Sequence, residues 1–188
     1  MLFPVLTALL LTLPTITAQC IPKSHPVSNT ISTPFAIEVH NASYPDLHDR
    51  RLNFWKAGGG DNHLYLSPAG DAVSNHTLVA GVLTNSEWWF NGGVTIRAVI
   101  NGEYTAYDNT TKIFMTQRGD PRAFFNVFDG CSPTTGAPQK LLKLANGGDV
   151  CVRLASGERY EFRYSGKGNK KAAAGYGCVT VTLGVVPS

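Results

Sequence analysis

No stretch of this sequence keeps apolar residues at helical spacing over three turns, which excludes a helical bundle or an α/β layering. Apolar runs long enough to cross a membrane are also missing. The run from Val5 to Leu13 is too short, and too interrupted by Pro4 and Pro14, to span roughly 30 Å of hydrocarbon. Nothing apolar and long enough to act as a lipid-anchor signal follows Leu183. The sequence has no H-E-x-x-H, H-x-H or C-x-x-C spacing, so no metal centre can be assigned and no cofactor is implied. His25, His40, His48, His63 and His76 are scattered over separate segments and are expected to be turn or surface residues.

Residues 1–18, MLFPVLTALLLTLPTITA, carry no charged side chain and end in small residues, the profile of a secretory signal peptide. Cleavage after Ala18 would leave Gln19 first and, from 188 less 18, a product of 170 residues, a comfortable size for one domain. Four cysteines remain, and an even count in an exported chain predicts two disulfides with three connectivities open. The 26 residues between Cys151 and Cys178 make a loop of ordinary size, so these two are expected to pair, leaving Cys20 with Cys131. Sequons at Asn41, Asn75 and Asn109 have no proline in the middle and mark candidate glycosylation sites in accessible backbone. Charge is uneven. Residues 139–188 hold eight Lys/Arg against three Asp/Glu, whereas 19–138 hold eight against ten, so the last third is basic by five.

Residues 19–33 read as an irregular arm pinned by Cys20, followed by a single all-β domain over 34–188. Twelve short strands alternate with turns such as Gly58-Gly59-Gly60-Asp61, Asn101-Gly102 and Asn146-Gly147-Gly148, where positive φ is easily reached. Three sets of four strands have the arithmetic of a β-trefoil-like barrel. A β-sandwich and an irregular barrel are the alternatives. The middle set, VTIRAVINGEYTAYDNTTKIFMTQRGDPRAFFNVFDG, resembles a trefoil lobe of the fascin or ricin-lectin type.

Trp88, Trp89, Trp55 and Tyr65 are the candidate sugar-stacking aromatics, because flat rings pack on the apolar faces of sugars. Adjacent strand residues face opposite ways, so one of Trp88 and Trp89 is expected in the core. Arg163, Lys167, Lys170 and Lys171 form a candidate basic patch suited to anionic surfaces, or simply a solvated basic face. Glu158 to Tyr164 alternates charge with aromatics and resembles the acidic-basic strand of small secreted fungal ribonucleases. Such chemistry needs Glu158 or Glu161 in a cleft beside a histidine. Arg118-Gly119-Asp120 spells an integrin-type tripeptide in a turn, and Arg50-Arg51 a dibasic pair.

Four segments, PFAIEVHNA, HLYLSPAG, DVCVRLASGERYEF and GCVTVTLG, resemble the phialide-type cell-wall glycoproteins of filamentous fungi. That resemblance implies an extracellular or wall-associated protein without established catalysis. The expected product is therefore a secreted, non-enzymatic glycoprotein at a cell wall or host surface, with a glycan or an extracellular protein as partner and no nucleic acid. A secreted effector that binds a host protein and a small hydrolase or ribonuclease are the alternatives.

Overall fold

The computed structural model describes residues 20–86, 92–173 and 177–188, and they form an all-β protein. Sixteen strands run in chain order. The first seven are β1 (Ile31–His40), β2 (Arg50–Gly58), β3 (Asp61–Leu66), β4 (Asp71–Ala72), β5 (His76–Val79), β6 (Val82–Asn85) and β7 (Ile96–Val99). Next come β8 (Tyr104–Thr105), β9 (Thr110–Lys112), β10 (Phe114–Thr116), β11 (Phe125–Cys131) and β12 (Pro138–Leu144). The last are β13 (Asp149–Leu154), β14 (Tyr160–Ser165), β15 (Cys178–Thr180) and β16 (Thr182–Pro187). One helical turn, Lys170–Ala173, precedes β15.

All pairings are antiparallel, and they come full circle. From β1 they pass through β5, β6, β7, β10, β3 and β2 and return to β1. This is the irregular-barrel alternative; the strands do not fall into three sets of four. Phe35, Ile37, Phe54, Leu64, Leu78, Leu83, Ile96 and Met115 are buried in one cluster, supplied by alternating positions of these strands. Two wings extend the ring. β16, β12 and β11 continue outward from β1, and β14, β13 and β15 continue outward from β3.

The chain passes between the wings twice, from β12 to β13 through residues 145–148 and from β15 to β16 at Val181. Val181 is pinned there by its N–H to the Val150 carbonyl, 3.0 Å. Gly148 is required in the first crossover, because a Cβ would lie 2.5 Å from the Tyr164 ring and 2.7 Å from the Ser165 carbonyl.

The arm before β1 lies along the outer edge of β11. Lys23 and Val27 donate their N–H groups to the carbonyls of Asp129 and Val127, and Val127 donates back to Ser28. The Cys20–Cys131 disulfide and the Lys23–Asp129 ion pair at 2.6 Å fasten it, so an edge that would otherwise invite strand addition is covered. Cys151–Cys178 is the second disulfide and ties β13 to β15.

Candidate functional site

The space between the two wings is a groove. Three depressions of about 360, 510 and 280 Å³ follow one another along it, and all three are lined by Thr180. Thr180 and Thr182 are outward positions of the alternating run Cys178–Leu183 and are exposed. Leu141 and Pro133 flank the first depression, beside His40 and Asn41. The middle one has Phe128 and Asn126 from β11, Lys143 from β12 and Asp149 from β13. Asp149, Ser165, Asn169 and Lys170 line the third. Phe128 is partly exposed, with the Lys143 ammonium 4.8 Å from its ring centroid. Neutral hydroxyls and amides, one phenyl ring, two amines and a carboxylate are therefore strung along an open channel. The depressions are modest in volume and share lining residues end to end, a shape that suits an extended chain.

A second cluster lies on the face shared by β3, β14, β13 and β9. Arg163 was grouped by sequence with the surface lysines, but its side chain is 0% exposed. It donates to Thr110 Oγ1 (2.6 Å), Glu161 Oε1 (2.6 Å), the Thr110 carbonyl (3.0 Å) and the Glu103 carbonyl (2.7 Å). The guanidinium is buried with its donors satisfied because β9 places Thr110 directly against β14, where Glu161 on β14 itself and the Glu103 carbonyl ahead of β8 supply the rest. Arg153 binds the same Glu161 oxygen at 2.8 Å and Asp108 at 3.4 Å, while Lys112 binds the other Glu161 oxygen at 2.9 Å.

Burial raises the Glu161 carboxyl, but the hydrogen bonds and charges of Lys112 and Arg163 outweigh that and hold it below the usual value. His63 approaches through Lys112, Nδ1 to Nζ 3.4 Å, and burial together with the Lys112 charge pushes its pKa down. A histidine is thus brought toward Glu161, as a ribonuclease-type site would need. Glu161 itself is buried with three cations on its two oxygens, an arrangement that locks β9, β13 and β14 together and leaves little of the base open to a substrate.

Trp55 stands half-exposed on β2 with Tyr65, almost fully buried, edge-on at 6.1 Å. The Arg159 guanidinium lies over both rings, 4.8 and 5.2 Å from their centroids. These two aromatics are together but away from the groove, and Trp88 and Trp89 lie outside the described residues. Lys167, Lys170 and Lys171 are exposed. Only Lys170 of the three lines the groove. Lys171 Nζ instead donates to the Ala106 carbonyl at 2.8 Å. Arg118 folds back onto the Gly59 carbonyl, Asp120 pairs with Arg122 at 3.5 Å, and Arg51 pairs with Glu38 at 3.3 Å.

The sequence places all five histidines in turns or at the surface, and two of them are not there. His40 and His76 are buried. His40 Nδ1, His48 Nε2 and an Asp49 oxygen lie within 4.8 Å of one another at the end of the groove. The Asn41 N–H donates to His48 Nδ1, which places the ring proton on Nε2, toward Thr134 Oγ1 at 3.2 Å. Thr134 in turn binds Asp49 at 2.6 Å and is the main cause of that carboxyl's lowered pKa. As arranged, the donors satisfy one another and do not present three free lone pairs to a cation. Gly184 makes room for the corner, since a Cβ there would overlap His40 Nε2 and lie 2.5 Å from Gln139 Nε2.

Asn75 and Asn109 are exposed, whereas Asn41 is half-buried with Nδ2 donating to the Thr180 carbonyl at 2.8 Å. The groove residues Asn126, Phe128, Asp149, Thr180 and Thr182 were not singled out by sequence. The only signal for two of them was the polar alternation in Cys178-Val-Thr-Val-Thr-Leu183. No curated protein and no solved structure matches the chain. Residues 20–188 match the domain of unknown function DUF7909. That match takes in every strand described above, and the chain belongs to the DUF7909 family.

Proposed function

We propose that this chain is an exported, non-enzymatic glycoprotein that binds an extended polysaccharide of a cell wall or host surface along the groove between its wings. The observation that carries the reading is the meeting of three consecutive depressions at Thr180, lined by hydroxyls, amides and Phe128. A sugar ring can stack on the aromatic face while its hydroxyls exchange hydrogen bonds with Asn126, Asp149, Thr180 and Thr182. Two disulfides suit an oxidising compartment, and no helix among the described residues is long and apolar enough to cross a membrane. The likeness to phialide-type proteins favours wall polymers as the ligand class.

The test is retention on insoluble chitin, β-glucan and mannan. Wild-type protein is expected on at least one polymer, with little loss at raised salt because the groove carries cations and an anion together. Thr180→Trp, which fills the junction of the three depressions, is expected to flow through. Absence of retention on all three polymers at low salt refutes the proposal.

A further inference from the structure

Tyr104 and Tyr107 are 59% and 65% exposed on the β8–β9 hairpin, a large aromatic surface that the groove does not use. Between them and β9 stands Asn109, exposed, at φ 53° in the four-residue turn 106–109, and its sequon hydroxyl, Thr111, is paired in register with Tyr104. The Tyr104 hydroxyl donates to Asn109 Oδ1 at 3.0 Å. That bond fixes the amide plane beside the phenol, while Nδ2 has no hydrogen-bond partner among the described residues.

The turn is held from behind. Asn169 Nδ2 donates to the carbonyls of Asp108 and Asn109, Lys171 Nζ donates to that of Ala106, and Asp108 Oδ1 accepts from Thr110 N and Oγ1. The other two sequons differ. Asn41 spends its Nδ2 on the Thr180 carbonyl, and Asn75 is followed by the buried His76.

We propose that Asn109 carries an N-linked glycan whose first sugar rests on the exposed rings of Tyr104 and Tyr107. The inference rests on the export reading but not on groove binding. Transfer joins Asn109 Nδ2 to the anomeric carbon of a lipid-diphosphate-linked oligosaccharide. The C1–O bond breaks with its electron pair leaving on the diphosphate, and the amide proton passes to a base of the transferase. The apolar face of the sugar then covers the exposed part of these rings, which stabilises a hairpin only two residue pairs long. The exposed aromatics are then a shelf for the protein's own glycan and not a protein-docking patch.

The full chain is produced in a secreting eukaryotic host, and its glycans are removed enzymatically in heavy-oxygen water, so that each occupied asparagine becomes a labelled aspartate. Label at Asn109 is expected. Asn109→Gln is expected to lower the melting temperature by about 3 °C relative to the glycosylated protein. In a Tyr104→Ser/Tyr107→Ser background the same comparison is expected to show no difference. Label at Asn75 with none at Asn109, or an undiminished difference without the tyrosines, overturns the inference and leaves export standing. Absence of label at every sequon overturns the inference and the glycoprotein reading together.

Discussion

His76 is buried completely between Phe35 and Phe54, with ring centroids 6.0 and 5.3 Å away, and neither ring nitrogen has a hydrogen-bond partner among the described residues. Burial alone pushes its pKa from 6.5 down to about 3. Between those two values the unfolded chain holds a proton that the folded chain refuses. The stability associated with the neutral ring is complete above pH 6.5 and is lost as the pH falls toward the folded value. The slope is about 1.4 kcal/mol per pH unit, so acidification to about pH 4.5 costs roughly 2.7 kcal/mol from this one group.

Methionine fills irregular apolar space, and His76→Met should lie within about 1.5 kcal/mol of wild type at neutral pH. Urea unfolding with the disulfides intact, at neutral pH and at about pH 4.5, reads the difference. The variant's advantage over wild type should grow by roughly 2.7 kcal/mol on acidification, because the carboxylates that titrate in the same window are common to both proteins and cancel in the difference. Parallel pH profiles for the two proteins would refute the reasoning.

Glu161→Gln leaves Arg153, Arg163 and Lys112 with Asp108 as their remaining carboxylate and should cost about 3–5 kcal/mol in thermal or urea unfolding; a loss below about 1 kcal/mol would show that the cluster is not held by charge. Gly184→Ala pushes a methyl into His40 and Gln139 and should cost about 1–3 kcal/mol, with the largest chemical-shift changes at His40, Asp49 and Thr134. Replacing Cys20 and Cys131 by serine opens a loop of 111 residues and should cost about 2–4 kcal/mol. It should also strip hydrogen-exchange protection from the Val127 amide under the arm while sparing β13, and unchanged protection there would contradict the edge-cover reading.

Alternation and turn chemistry made the strand content, the hairpins and the disulfide pairing legible, because each is a local or compositional signal. The apolar run Thr77-Leu-Val-Ala-Gly-Val-Leu83 reads as one strand, yet Ala80 and Gly81 adopt φ of 47° and 83° and fold it into the β5–β6 hairpin. An alanine in that conformation gives no warning in sequence, since tertiary pairing meets its cost. Cys178–Val186 likewise reads as one strand from its residues, and nothing local shows that Val181 carries the chain from one wing to the other.

Arg163 looked exposed because charge next to aromatics usually marks a half-buried strand. Here β9 flanks β14 and supplies Thr110 as an acceptor on the charged face, with Glu161 and the Glu103 carbonyl completing the set. The groove was illegible for a related reason. Phe128, Lys143, Asp149 and Thr180 come from four strands and meet only once the wings are in place.

Calorimetric titration with chitin, β-glucan and mannan oligosaccharides, from the disaccharide upward, tests the groove most directly. Affinity for one series should rise with chain length until the three depressions are filled, and Thr180→Trp should abolish the rise. Heat that is independent of length, or length dependence that survives in Thr180→Trp, would contradict the account.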